Sequence, residues 1–171
     1  MIKTDLLYLK KLKKSDLSFY QRIYTDKRLV KHVCPVLDNR AAEKYFKLTL
    51  KIMSKAVPNM VLYVIYETLS KNRIGVIGLR WNQEKQDSVE IGIIIIPPKQ
   101  RKGFAHHAKR ILINYAFKKM NINSIVANCD EANNSANLAN QKLGFSKIKT
   151  FLSNKSNKMT LKWKIKKEDS K

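Results

Sequence analysis

The chain has 171 residues, 44% of them hydrophobic, and carries 35 Lys+Arg against 13 Asp+Glu for a formal charge of +22. That length and apolar content allow one compact core. With no Pro/Gly/Ser-rich linker, no internal repeat, no signal-type apolar block and no apolar run of bilayer length, a single soluble, cytoplasmic domain over residues 1–171, not a membrane protein, is expected.

In chain order, residues 6–10 read as a strand. Ser15-Asp16 reads as a cap opening a helix to about Tyr24, and Asp38-Asn39 as a second cap opening a helix to about Lys55. Strands follow at 61–67 and 74–81, joined by the turn residues Ser70-Lys71-Asn72. The next strand, 89–96, contains the run 91–96 with no polar face, which suits a central strand covered on both sides. Pro97 and Pro98 end its ladder because neither has a backbone N–H to donate. A helix is then expected over 103–120, its apolar residues Phe104, Ala108, Ile111, Leu112 and Tyr115 recurring at helical spacing. A strand at 124–129 and a short helix at 135–143, opened by an asparagine-rich start and stopped by Gly144, come next. Two last strands, 146–151 and 159–166, flank the polar turn 153–157. The central strand–helix–strand implies a parallel pair with a right-handed crossover, set in a mostly antiparallel sheet.

The helix that begins near Gly103 presents unpaired N–H groups and the positive end of its dipole, a combination suited to phosphate. Gly103 and Ala105 are small enough for backbone to approach an anion, and Lys99, Arg101 and Lys102 add mobile charge around it. A plain strand-to-helix loop would show the same pattern. The two cysteines, Cys34 and Cys129, lack CxxC or His-rich spacing, so buried reduced thiols are expected rather than a disulfide or a metal site.

Gln-x-x-Gly-x-Ala at 100–105, followed by NNSANLANQKLGF at 133–145, resembles the GCN5-related N-acetyltransferase superfamily, and within it the RimJ/RimL type that acetylates ribosomal-protein N-termini. The likeness covers nearly the whole chain and is strongest from Glu90 to Phe145. It implies an α/β fold with a mostly antiparallel sheet of about seven strands, a splayed parallel pair and about four helices. It also implies acetyl-CoA as co-substrate, no metal, and a monomer or homodimer. Acetyl-CoA would lie where the parallel strands part, with Ile94, Ile95 and Ile96 supplying backbone N–H groups to the thioester and pantetheine. Gln100, Arg101, Lys102, Gly103, Phe104, Ala105, His106, Asn133 and Asn140 would complete the coenzyme site. The two N-terminal helices would wall the acceptor side, with Tyr24, His32, Tyr45 and Trp81 as pocket candidates or ordinary core.

Amine attack on a thioester needs an oxyanion donor, a proton acceptor and help for the departing thiolate. Glu90, the one carboxylate on its strand, is the candidate base, on the expectation that partial burial raises its pKa. Many members of the superfamily place a tyrosine acid where this chain has Asn140, and a serine where it has Ala136. Asn140, Ser135 or a water is left to serve as the acid. His106 and His107 stand where Rim-type members often have Thr-Glu, and at a helix N-terminus they suit phosphates better than catalysis.

The +22 field favours coenzyme A and argues against polyamine acceptors. However, 28 of the 35 basic residues are lysines spread end to end, which also fits a solvated surface, since geometric phosphate recognition favours arginine. A protein α-amine, titrating near 8 against about 10.4 for lysine, needs only a weak base and is the expected acceptor. The alternatives are a small anionic amine such as an amino-sugar nucleotide, or a non-catalytic basic protein docked on RNA or near the ribosome.

Overall fold

The computed structural model describes residues 2–82, 85, 87–100, 102–154 and 156–169. Among them lie strands β1 (Ile2–Lys3), β2 (Leu7–Lys11), β3 (Met60–Glu67), β4 (Arg73–Trp81), β5 (Ser88–Ile95), β6 (Ser124–Asp130), β7 (Ser146–Ser153) and β8 (Lys158–Lys166). The helices are α1 (Leu17–Tyr24), α2 (Lys27–Val30), α3 (Asn39–Met53), α4 (Phe104–Lys119) and α5 (Asn134–Lys142). All eight strands form one sheet in the order β1-β2-β3-β4-β5-β6-β8-β7. Only β5 and β6 run parallel; this is the mixed sheet expected from the sequence, with one strand more.

Strand alternation divides the core between the two faces of the sheet. Val64, Val76 and Ile94 are register neighbours and pack with Phe19, Tyr20 and Ile23 of α1 and Phe46 of α3. Ile77, Leu79, Ile91 and Ile95 belong to the other cluster, with Ala108, Leu112 and Ala116 of α4. The run 91–96 is thus apolar because α4 covers one face of it and α1 and α3 cover the other at Ile94, although Gly92 is left exposed.

Some local expectations change. Asp16 does not cap α1. It is 2% exposed, its Oδ2 accepting the Lys13 N–H at 3.0 Å and its Oδ1 pairing with Arg73 at 3.3 Å, partners that a buried carboxylate requires. Asp38 caps α3 as expected, accepting the Ala41 N–H at 2.7 Å. Strand β1 and helix α2 were not foreseen; α2 is opened by Asp26, whose side chain accepts the Arg28 N–H. On α4 the buried face includes Lys109, Ile113 and Phe117, while Tyr115 is 37% exposed, so the helix is rotated from the stripe read in the sequence. Cys34 and Cys129 are free thiols but only half-buried. No helix of the described residues is long and apolar enough to cross a membrane.

The parallel ladder is short. It pairs Ser88 with Ser124, Val89 with Ile125 and Glu90 with Val126, and then stops, although β5 continues to Ile95 and β6 to Asp130. Beyond Glu90 the two strands part, and the gap between them is where the sequence motifs converge.

Candidate active site

Backbone direction along β5 decides which amides face the gap. Ile96 donates its N–H to Ile74 O of the β4 side at 2.9 Å. Amides alternate sides along a strand, so Ile94, opposite Val76, also points to β4, while Ile93 and Ile95 point to the gap. Of the three isoleucines expected to meet the coenzyme, Ile95 is the one so placed, and Ile93 joins it. Gln100 closes the end of the strand, donating from Nε2 to Ile95 O at 2.8 Å.

Helix α4 begins at Gly103, whose φ of 79° favours glycine, and no side chain caps it. Its first-turn amides therefore point outward along the axis. Phe104 is 5% exposed and belongs to the core, so only its backbone is available to a ligand, beside that of Ala105. Lys102 is exposed next to the turn; Arg101 lies outside the described residues. Lys99 is not a free charge: its Nζ is 2.8 Å from both Glu67 oxygens, and this bond, with a second from the Ser70 hydroxyl, holds the Glu67 carboxyl below its ordinary range. A cleft of about 410 Å³ is lined by His106 and Arg110 of α4 and by Lys142 and Gly144 at the end of α5, with Asp169 also at its wall. Burial, then the neighbouring His107, Arg110 and Lys142 charges, push the His106 pKa down. Those charges suit a phosphate. A second cleft, of about 430 Å³ at Asn123 and Lys166–Glu168, adjoins the start of β6, away from the gap.

Asn133 caps α5, its Oδ1 accepting from the Ala136 N–H and from the Ser135 hydroxyl at 3.1 Å. Ser135 is exposed and engaged in that cap. Asn140 is fully buried. Its Oδ1 accepts from Lys109 Nζ at 2.6 Å, and its Nδ2 donates to Cys129 Sγ at 3.2 Å.

The opposite face of β5 is open. Glu90 is exposed, so the burial expected to tune it is absent; α1 and α3 cover Ile94 and end short of this point. Two residues on, a Cβ added to Gly92 would meet nothing within 4 Å. Arg80 is the register partner of Glu90 and is also exposed. At the far end of β6, Asp130 Oδ2 lies 2.8 Å from His32 Nδ1 and 3.2 Å from Lys158 Nζ. Burial pushes the Asp130 carboxyl up, but hydrogen bonds from His32, the Ala132 amide and Lys158 outweigh it and leave the pKa below the ordinary range. Asn137 braces the same turn, donating to Asp130 O and Glu131 O while accepting from Trp163 Nε1 at 2.9 Å. Of the pocket candidates, His32 therefore stands at the gap's mouth. Tyr24 packs on Tyr20 with tilted rings, centroids 4.3 Å apart, and burial raises its pKa strongly. Tyr45 is 52% exposed, and Trp81 packs against the α4-side core.

The family model of the acetyltransferase (GNAT) domain matches residues 7–146. The chain belongs to the GNAT family. Solved GNAT-fold structures superpose over almost its full length. The spermidine N-acetyltransferase of Vibrio cholerae, in complex with CoA and spermine, has a TM-score of 0.82 at 22% identity, covering 97% of this chain and 98% of that one. A GNAT-family acetyltransferase of Bacillus anthracis gives 0.83 at 18% identity, covering 98% of each. In sequence, the uncharacterized N-acetyltransferase YnaD of Bacillus subtilis is 34% identical over 59 residues, 34% of this chain and 35% of that relative, so the match spans about a third of its length.

The matching model is that of an acetyltransferase domain, and the residues present fit acetyl-CoA as its donor. The gap offers amides to an extended arm, the uncapped helix offers N–H groups to a diphosphate, and the His106–Arg110–Lys142 cleft offers positive charge. The RimJ/RimL subtype gains no specific support from these comparisons. Sequence reasoning missed two groupings. Asp130 meets His32 across 98 residues, and Lys109 sits inside an otherwise apolar helix face. The one available signal for the second was a lysine flanked by the stripe residues Ala108 and Leu112.

Proposed function

We propose that this GNAT domain acetylates the primary amine of a small molecule, which attacks the thioester directly from the sheet face bearing Glu90 and Gly92. The observation that carries this reading is the His32–Asp130 pair beside the gap. A carboxylate that holds Nδ1 leaves Nε2 as the atom able to take the amine's proton. Glu90, with no ion-pair partner among the described residues, holds the incoming ammonium before that transfer. Ile93 and Ile95 supply N–H groups to the thioester and the pantetheine arm.

A small acceptor suits the open patch at Gly92. The shared fold with spermidine N-acetyltransferases brings polyamines into the acceptor class despite the formal charge of +22. Long-range repulsion slows the approach of a polycation, but binding is decided by the local carboxylates Glu90 and Glu131, Asp130 being already engaged by His32 and Lys158. A small anionic amine is favoured by the net charge instead. A protein α-amine, the acceptor expected from the sequence, is the second reading; it is already substantially neutral near pH 8 and asks little of the base.

Thiol release from acetyl-CoA with spermidine, an amino-sugar nucleotide and short peptides separates these acceptors. Rising salt is expected to raise kcat/KM for a polycation and to lower it for an anion. Turnover confined to peptides overturns the small-molecule reading. No turnover with any amine, no CoA affinity and tight, steeply salt-dependent RNA binding would leave a binding protein rather than an enzyme.

A further inference from the structure

Among the seven described residues that are polar or charged and buried, one is a lysine, Lys109, 4% exposed on the second turn of α4. A buried ammonium needs partners, and the one it has is Asn140 Oδ1, at 2.6 Å. An ammonium carries donors and no acceptor, so the amide oxygen must face it. Nδ2 is thereby turned the other way, toward Cys129 Sγ. Cys129 lies on β6 past Val126, where the parallel ladder has ended, so the N–H of this buried amide is aimed at the wall of the gap.

We propose that Lys109 is a positioning residue for the departing thiolate: it locks the Asn140 amide with its N–H toward the sulfur in the gap and lends that N–H its positive charge. This rests on the acetyl-CoA reading above. In the transfer, the amine nitrogen forms a bond to the acetyl carbon, the C–S bond breaks, and its electron pair goes to sulfur. The ammonium loses one proton to His32 before attack and the amine nitrogen a second one to solvent as the amide forms, while one proton from solvent converts the thiolate to the thiol. Asn140 gives up none. One Nδ2 hydrogen is engaged by Cys129 Sγ; the other donates a hydrogen bond to the coenzyme sulfur as charge develops there, and the ammonium behind it strengthens that donor. The tyrosine that many family members place here is a proton donor. A lysine–asparagine pair does the same electrostatic task without a transferable proton at the sulfur.

The group is tuned for a limited pH range. Burial pulls the Lys109 pKa down from the ordinary lysine value, against which the Cys129 thiol, if ionised, would act. Among the described residues, Cys129 of β6 is the titratable group acting on it, with Glu90 and Asp130 in turn acting on Cys129. Once Lys109 is neutral it can accept as well as donate, and the lock on the amide is released.

Titration of the coenzyme A thiol by thiolate absorbance, free and bound, tests the proposal without any acceptor. Ligand-free protein is subtracted, and binding is measured in parallel by calorimetry. In the unsubstituted protein the bound thiol is expected to titrate about one pH unit or more below the bound thiol of Lys109→Met. Lys109→Gln, which keeps an N–H donor but no charge, serves as a second variant should methionine disturb folding, and an intermediate value is expected. With an active amine, Lys109→Met is expected to lower kcat about 10- to 100-fold with little change in KM for acetyl-CoA. Acetyl-selenocoenzyme A, whose selenolate leaves as a weaker base, should recover most of that loss. Equal thiol titration in all three proteins overturns the proposal, as does an equal loss with both donors. If the protein binds CoA but acetylates no amine, the proposed function fails while the thiol titration still decides this inference. If millimolar CoA does not bind, both fall.

Discussion

The two sides of β5 at the gap are built on opposite terms. On the α4–α5 side the polar groups are sealed in and satisfied by one another: Lys109 to Asn140, Asn140 to Cys129, Trp163 to Asn137. On the other side Glu90, Gly92 and Arg80 are exposed, and at the mouth Asp130 is held by His32 and Lys158. On the proposed reading, donor geometry is fixed before a ligand arrives, whereas the acceptor side is a surface on which specificity can change without disturbing the fold. The same strand serves both because its side chains alternate.

The sharpest break of that comparison is His32→Ala. If the acceptor side supplies the base, kcat should fall about 10²- to 10⁴-fold with CoA affinity unchanged by calorimetry. Gly103→Val attacks the donor side instead. A β-branched residue at φ 79° is strained and obstructs the anion's approach, so CoA affinity should drop about tenfold or more while acceptor KM holds. Gly92→Val should do the reverse, raising acceptor KM severalfold to about tenfold with intact donor binding and no loss of thermal stability, because the added methyls enter open space and valine favours strands. Replacing the buried pair by Lys109→Met/Asn140→Leu is expected to raise stability by about 1–2 kcal/mol near pH 7, since a well-packed apolar pair avoids desolvating a charge. The sign follows from linkage. The folded Lys109 pKa lies below its unfolded value, so its penalty on the fold is full below the folded pKa and gone above about 10.4. Denaturant melts at pH 7 and above pH 10.5 should show the gain and its disappearance. Smallest is Glu90→Gln, expected to raise KM for a cationic acceptor by severalfold and to leave an anionic one unaffected.

What could be read from the chain and what could not divide along the same line. Signals that act over a few residues were legible: Pro97-Pro98 ending the central strand, Gly103 as a small residue where α4 starts, Asp38 as a cap, the asparagine-rich start of α5, Gly144 as a stop. Apart from Asp38, which opens α3 on the other face, those features shape the α4–α5 side of the sheet, so its backbone was foreseen in outline. Three inferences failed for lack of three-dimensional information. Ile94 and Ile96 could not be told from Ile95 until pairing with β4 fixed which amides were taken. Burial of Glu90 was inferred from its apolar neighbours, but those neighbours belong to the other face. Asp16 looked like a cap because its short-range pattern fits one, and only the approach of Arg73 from β4 shows its real partner. The His32–Asp130 contact joins segments 98 residues apart, and no local pattern announces it.

Three rungs between β5 and β6 have a consequence for the lifetime of the protein. One half of the sheet adheres to the other through that brief ladder and the packing beneath α4 and α5, so this seam is the natural place for opening. A pantetheine arm lying along the Ile93 and Ile95 amides would act as a substitute strand and stitch the seam. Donor at one hundred times its dissociation constant would add about 2.7 kcal/mol to the folded state. Metabolic supply of the coenzyme would then govern resistance to proteolysis as well as turnover.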